Sequence, residues 1–481
     1  MGEPTLFSLI KKLEKEKQLK RVKVEVDPIL EISEITQRVF EKNGPALLFE
    51  NVKGSCFPVL TNLFGTWKRV EILFGKSVRE LEGFIKELVS TEFPTTLKGS
   101  LSLLPKLKNF KAMIPKKVSS PPCQEVVNQT PDLGNLPILK TWPGDAGRFI
   151  TLPQVITKDP ETGMRNVGMY RLQLYDGKTT GMHWHPHKGG AQHFRQYQKI
   201  GKKMPVAVAL GGDPLLAYLA TAPFPEGMDE WTLAGILRGQ RVSIAPCVTQ
   251  DLFVPAEADF ILEGYIDPEE PLREEGPFGD HTGFYSPPEP FPVFHLTCIT
   301  HRERAIYPAT VVGKPPMEDA LLGKITERLF FPIIQKLLPE IVDMDLPIHG
   351  CFHNFVLVSI NKQYPGHARK IINAFWGLGQ MMFSKFIIVF DGDVNVHDYG
   401  EALWRVGTHV DPKRDIFTTE GPTDLLDHTS PLSCIGGKMG IDATRKWPEE
   451  GFQRPWPEEA RMSSEVVKQV TQRWKDYGLD N

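Results

Sequence analysis

Residues 204–214 read MPVAVALGGDP. The run Val206 to Leu210 is apolar without interruption, and a Gly-Gly-Asp-Pro turn stops it. A run this short, bounded by turn residues, reads as a β-strand. Comparable runs lie at Val167 to Tyr175, Phe260 to Ile266 and Val293 to Ile299, with glycine and proline clusters between them. The block from about 148 to 310 is therefore expected to form a small β-barrel or sandwich.

On either side the pattern changes. Leu6 to Leu19 reads as a charged amphipathic helix and Arg21 to Val26 as a short strand. Asp27-Pro28 then opens a helix with Ile32, Ile35 and Val39 on one face, and strands follow at Ala46 to Glu50 and Phe57 to Asn62. Alternating helices and strands make the first ~115 residues an α/β unit. Prolines 115, 121, 122, 131, 137 and 143 mark a linker or loop-rich crossing. From about 315 the α/β pattern returns. Ala320 to Leu338 and His367 to Met382 read as helices, and Phe355 to Ile360 and Phe386 to Phe390 as strands. A terminal helix from Ser463 carries Val466, Val470 and Trp474 as a stripe suited to packing, for instance on another subunit. The expected fold class is a multidomain α+β chain with domains at 1–118, 119–318 and 319–481.

The 56 basic and 59 acidic residues give a net charge of −3, which leaves no footprint for nucleic acid. The six cysteines, Cys56, Cys123, Cys247, Cys298, Cys351 and Cys434, form no CxxC pair. That spacing speaks against a disulfide framework or zinc ribbon and fits a reducing, cytoplasmic setting. Neither a signal-peptide core nor a membrane span is expected.

Four polar clusters stand out. The first is Asn166-Val-Gly-Met-Tyr-Arg171. On a regular strand Asn166 and Arg171 would face opposite ways, unless Gly168 breaks it. The second holds His183, His185 and His187 at alternate positions, followed by Lys188-Gly-Gly190. On a strand the three histidines would share a face, as metal ligands do, but Pro186 argues against a regular strand and a solvated loop is the alternative. Lys188 and the glycines offer charge and open N–H groups to a phosphate. The third places Glu275 and Asp280 on either side of a Gly-Pro-Phe-Gly turn. Two carboxyls brought close split their pKa values and leave one as an acid near neutral pH. An acidic surface loop is the plain alternative. The fourth, Asp229 to Gly235, starts a helix with acids in its first turn.

Together these segments resemble the UbiD family of decarboxylases. The resemblance rests on PALLFENVKG (45–54), NVGMYR (166–171), HPHKGG (185–190), GGDP (211–214), DEWTLAG (229–235), EGPFGDHTGF (275–284) and FSKFIIVFDGDVNVHD (383–398). It implies a central split barrel similar to flavin-reductase barrels. It also implies bound prenylated FMN, a divalent metal such as Mn2+, and in some members K+. The implied metal ligands are Asn166, His187 and Glu230. The implied cofactor contacts are Met169, Tyr170, Arg171, His183, Trp184, His185, Lys188 and Gly189. The implied catalytic residues are Arg171, Glu275 and Asp280, with Asp280 delivering the proton that replaces CO2.

By the same resemblance the substrate is an aromatic acid, a flavin prenyltransferase supplies the cofactor, and the chain forms a dimer or hexamer. The nearest branch acts on polyprenylated 4-hydroxybenzoates in ubiquinone biosynthesis, which extends the expected setting to the face of the inner membrane. A menaquinone (futalosine-type) route or a small hydroxyaryl acid is the alternative. A long apolar channel would favour a prenylated substrate, and a small closed pocket a simple phenolic acid.

Overall fold

The strand Met204–Leu210 pairs on both sides, with Phe260–Ile266 and with Gln154–Lys158. Its side chains alternate between two cores. Val206, Val208 and Leu210 enter one, and Ala207 and Ala209 enter the other. A strand covered on both faces needs apolar residues at every position, and this explains the unbroken run. In this computed structural model, which describes residues 4–90, 111–223 and 229–479, the strand lies inside the main antiparallel sheet. Stretch 91–110 of the expected N-terminal unit lies outside the described residues.

The sheet runs Thr179–Gly181, Val293–His301, Phe260–Ile266, Met204–Leu210, Gln154–Lys158, Arg165–Gly168, with Val126–Asn128 added on Val293–His301. The expected barrel does not close. No ladder joins the edge strands Thr179–Gly181 and Arg165–Gly168 among the described residues. Both edges are short, and both lead straight into polar segments, residues 169–171 and 182–188. The backbone that would seal a barrel instead lines cavities. The proline-rich stretch is a crossing and not a free linker, because Lys116–Lys117 pairs with Ser243–Pro246 and Val126–Asn128 joins the main sheet.

The N-terminal sheet places Ala46–Val52 between Leu19–Val26, which is parallel, and Val59–Thr61, which is antiparallel. The chain returns to this sheet after the central strands, when Tyr307–Pro308 pairs with Val59–Thr61. Helix Glu318–Leu337 then packs on helix Val78–Ser90 and leads into the C-terminal sheet. That sheet has the order Ile341–Asp345, Phe355–Ile360, Phe386–Asp391, Ile435–Asp442, Ile416–Pro422, with parallel pairing only at its centre. The terminal helix Ser464–Gln472 is N-capped by Ser463 and has no buried residue, and of its apolar stripe Val466 and the following Trp474 stay exposed. Among the described residues no helix is long and apolar enough to cross a membrane.

One buried acid ties the three regions together. The Glu318 carboxylate, at the start of the long helix, accepts the Phe64 N–H at 2.6 Å and the Thr310 hydroxyl at 2.9 Å. Glu318→Ala would strand both donors in the core. We expect a loss of about 1–3 kcal/mol for each stranded group, read by equilibrium unfolding. A loss smaller than about 0.5 kcal/mol, the range of an ordinary surface change, would show that this acid does not join the regions.

Candidate active site

The site begins where the edge strand Arg165–Gly168 stops. Because the strand ends at Gly168, Asn166 and Arg171 are not bound to one alternation, and they serve two adjoining cavities. The larger, about 550 Å³, is lined by Asn166, His187, Lys188, Gly189 and Glu230 among others. The smaller, about 220 Å³, is lined by Arg171, His183, His185, Phe278, Asp280 and Leu426 among others. Met169, Tyr170 and Lys188 line both.

In the smaller cavity Arg171 is held as a fork. Its Nε and Nη2 donate to Glu275 at 2.8 and 2.9 Å, its Nη1 donates to Asp280, and its Nη2 also donates to Ser286 Oγ at 3.1 Å. Phe278 lies flat beneath, with the guanidinium carbon 4.6 Å from the ring centre. Glu275 is fully buried and also meets His183 Nδ1 at 2.9 Å.

The turn between the two acids is built by its surroundings. Gly276 sits at φ +98°, a left-handed conformation that glycine alone adopts without strain. Its N–H donates to Gln173 Oε1 at 2.7 Å, and the Gly279 N–H donates to Asp145 Oδ1 at 2.8 Å. The flanking residues pair as short ladders, Arg273–Glu275 with Glu289–Phe291 and Phe278–Gly279 with Tyr285–Ser286.

The carboxyls do not split as the sequence suggests. Burial favours their neutral forms, but hydrogen bonds and charge from Arg171 and His183 take Glu275 down to about 2. Asp280 is likewise held well below its ordinary value. There burial is outweighed by the hydrogen bond from His281 and the charges of Arg171 and His281. One guanidinium between two carboxylates stabilises both anions, so neither becomes the raised partner.

The three histidines also part company. They lie on an irregular segment after strand Thr179–Gly181, and not on a shared strand face. His183 turns to Glu275, and His187 lies against Phe383 beside the larger cavity, at 4.8 Å between ring centres. His185 sits between them, 5.3 Å from His183 and 5.7 Å from His187. Trp184 points into the core, edge-on to Tyr170.

In the larger cavity Gly189 opens the helix Gly189–Ile200 so close to Asn166 that a Cβ there would fall 2.1 Å from Asn166 Oδ1. Burial pushes the Glu230 carboxyl up to about 8, although the nearby charge of Arg165 works against the rise. An amide oxygen, an imidazole and a carboxylate around one cavity suit a hard divalent cation. The helix N-terminus and Lys188 suit an anionic phosphate. The residues present therefore fit a metal-bridged phosphate cofactor, and the cavity volume lies in the usual range for such ligands.

A separate group, Glu327, Asp345 and His397, has ligand atoms within 4.8 Å of one another and could hold a metal ion. Lys324 Nζ already pairs with both acids, and His397 bridges Asp345 and Asp343 at 2.9 Å each. It lines neither of the two cavities.

Ser286, His281 and Leu426 are site residues that the sequence motifs do not assign. His281 lies inside the EGPFGDHTGF motif and Ser286 just beyond it, so their nearness to the acids is the signal that marks them. Leu426 arrives from the C-terminal domain with no local signal.

Residues 10–88, 116–315 and 320–443 match the N-terminal, Rift-related and C-terminal domains of the 3-octaprenyl-4-hydroxybenzoate carboxy-lyase (UbiD) family. An uncharacterised protein of Archaeoglobus fulgidus is 52% identical over 480 residues, 99% of each chain. Among solved structures, the UbiD-class enzyme HmfF of Pelotomaculum thermopropionicum in complex with FMN is 29% identical. The alignment covers 98% of this chain and 100% of that one, with a TM-score of 0.81. An evolved dimeric form of HmfF in complex with prFMN is 28% identical over 99% and 100%, with a TM-score of 0.79. The closed form of vanillic acid decarboxylase from Sedimentibacter hydroxybenzoicus is 26% identical over 100% of both chains, with a TM-score of 0.84.

Removing the guanidinium tests the cluster. Arg171→Met leaves the fully buried Glu275 without its guanidinium, a loss of about 3–5 kcal/mol near neutral pH, while Asp280 keeps His281. In the wild type the contribution of Glu275 is complete above about 4.5 and fades as pH falls toward about 2. In the variant, burial raises Glu275, so its melting temperature should rise as pH falls from 7 to 5, a range over which the wild-type contribution of Glu275 stays complete. A variant whose melting temperature stays level or falls over that range would refute this account.

Proposed function

Because this chain belongs to the UbiD family of carboxy-lyases, we propose that it is a prenylated-FMN-dependent decarboxylase acting on a small aromatic acid. The observation that carries this reading is the pair of adjoining cavities that share Met169, Tyr170 and Lys188. The larger takes the cofactor and its metal, and the smaller takes the acid beside Arg171, Glu275 and Asp280. Asn166, His187 and Glu230 would hold Mn2+ or a similar divalent ion, and Lys188 with the amides from Gly189 onward would meet the cofactor phosphate.

Loss of CO2 from an sp² carbon needs an electron sink, and prenylated FMN supplies it when bound. The protein's own residues position the acid, keep water out and deliver one proton. Arg171 spends most of its N–H groups on Glu275, Asp280 and Ser286. Its first task is thus to hold two carboxylates at fixed positions, and one Nη1 hydrogen is left for the substrate carboxylate. Asp280 lies on the smaller cavity and gives its proton to the carbon that CO2 has left. Glu275, fully buried and tied to His183, keeps Arg171 from turning.

The size and lining of the smaller cavity favour an untailed ring. At about 220 Å³ it is small for a polyprenyl chain, and its wall sets Arg171, His183, His185, Lys188 and Asp280 beside Met169, Tyr170, Phe278, Val312 and Leu426. We therefore place a simple aryl acid ahead of the polyprenylated 4-hydroxybenzoate of ubiquinone biosynthesis. The exposed part of the terminal helix's stripe supports assembly with a second copy.

Co-expression with a flavin prenyltransferase in Mn2+-supplemented medium should yield protein that carries prenylated FMN. CO2 should be released from short hydroxybenzoates and not from their polyprenylated forms. Turnover of the tailed acids alone would overturn the substrate reading. Glu230→Gln should keep the fold yet lose most of its bound manganese and cofactor, measured by metal analysis and absorbance. Full retention of both would remove Glu230 from the metal site.

A further inference from the structure

Two short segments meet at the wall of the larger cavity. Residues 165–167 read Arg-Asn-Val in the edge strand Arg165–Gly168, and residues 229–231 read Asp-Glu-Trp at the start of the helix Glu230–Arg238. Asn166 and Glu230, the middle members, both line the cavity. Their neighbours interlock. Arg165 Nη2 donates to Asp229 Oδ2, and the guanidinium carbon lies 3.5 Å from the centre of the Trp231 ring. On the other side of Asn166, the Val167 N–H donates to Glu230 Oε2 at 3.2 Å.

We propose that Arg165 is a positioning residue for the divalent metal: its grip on Asp229 and Trp231 fixes the separation of Asn166 and Glu230. This rests on the metal site proposed above, and it assigns Arg165 a role through those two ligands and no bond to the metal.

The need for such a device follows from the fold. A divalent ion requires its ligands at fixed, short separations, yet Asn166 stands on a sheet edge and Glu230 on a helix. The strand Arg165–Gly168 is held by Gln154–Lys158 on one side, and no strand pairs with its other edge among the described residues. There the helix start takes the place of a partner strand. Val167 holds one end of that contact and Arg165 the other. Asp229 adds a second constraint, because its Oδ1 accepts the Thr232 N–H at 2.8 Å and so caps the helix one residue before Glu230. Asn166 is oriented as well. Its Nδ2 donates to Tyr170 Oη at 3.3 Å, which leaves Oδ1 for a cation.

Two features separate this contact from an ordinary surface ion pair. Only 20% of the Arg165 side chain is exposed, it stacks on the fully buried Trp231, and its Nε is buried without a hydrogen-bond partner. An unmet buried donor costs stability, so stability alone does not account for an arginine here. Its charge does not account for it either, because a cation beside a divalent ion repels it. Charge and position therefore predict opposite signs. Removing a mere positive neighbour tightens metal binding, and removing a brace between two ligands loosens it.

The test uses the full-length chain with Mn2+ as the metal and FMN as the phosphate-bearing probe. Bound Mn2+ is counted from the loss of the free-ion signal in electron paramagnetic resonance. The melting temperature without metal reports the fold. Arg165→Met keeps a long side chain over Trp231 and removes the ion pair with Asp229. We expect the Kd for Mn2+ to rise about tenfold or more, the usual effect of removing a group that orients metal ligands, with little change in the metal-free melting temperature. Arg165→Lys keeps the charge but lacks the planar group that stacks on the indole. Its Kd should fall between those of wild type and Arg165→Met.

Tighter Mn2+ binding in Arg165→Met would show that only the charge acts. A lower melting temperature with an unchanged Kd would show that the pair only supports the fold. Each of these results overturns the proposal and leaves the metal site standing. If Arg165→Met folds poorly, Arg165→Lys decides alone, and a wild-type Kd in that variant refutes the brace. Wild-type protein that takes up no Mn2+ in the presence of FMN removes the metal site and this role with it. Protein that binds both normally, yet releases no CO2 from any aryl acid once loaded with prenylated FMN, overturns the decarboxylase reading and leaves the role of Arg165 to the binding data.

Discussion

A guanidinium lies between two buried carboxylates, and two distant stretches of chain are positioned by that contact. Arg171 follows the edge strand of the central sheet, while Glu275 and Asp280 flank a turn a hundred residues later. Taking these charges out of water is costly, and their mutual attraction offsets that cost only with well-formed hydrogen bonds. The structure supplies those bonds. Ser286 takes up a further Arg171 donor, and His183 satisfies Glu275 from the other side. Asp145 and Gln173 fix the backbone of the turn itself. Such a cluster adds little stability overall, and its value lies in specificity of position. Any shift of the turn or the edge strand leaves a buried charge unpaired.

The two open edges of the sheet carry the segments that reach the cluster, 169–171 from one and 182–188 from the other, and these meet there, where the His183 N–H donates to the Arg171 carbonyl at 3.2 Å. Opening the sheet leaves backbone groups at the edges to be satisfied elsewhere, and the short lengths of the edge strands limit how many there are. The C-terminal domain completes the enclosure by placing Gln380 against the larger cavity and Leu426 against the smaller.

Much of this was legible in the sequence. The unbroken apolar run Val206 to Leu210 marked a strand buried in the core, and the Gly-Pro-Phe-Gly turn marked two acids brought close. The segments quoted for the family resemblance also held the residues that line both cavities. Three things were not legible, each for a physical reason. Periodicity reports which residues pair locally but not whether the first and last strands of a sheet meet, so closure was out of reach. The direction of a pKa shift depends on what lies between two carboxyls, and a turn motif does not say that Arg171 will be there. The group Glu327, Asp345 and His397 is assembled from one helix, one strand and one loop, so no local spacing announces it.

The position of the cavities between domains bears directly on the chemistry. Excluding water strengthens every charge contact at Arg171 and protects a reactive carbon from stray proton transfer. The same exclusion denies the acid its usual supply of protons. A site of this kind has to meet both demands with one wall: it keeps the charges at Arg171 away from water and still leaves Asp280 facing the cavity that takes the substrate. The C-terminal domain shares in that wall, so the packing of the two domains is part of what sets how much water reaches the acid.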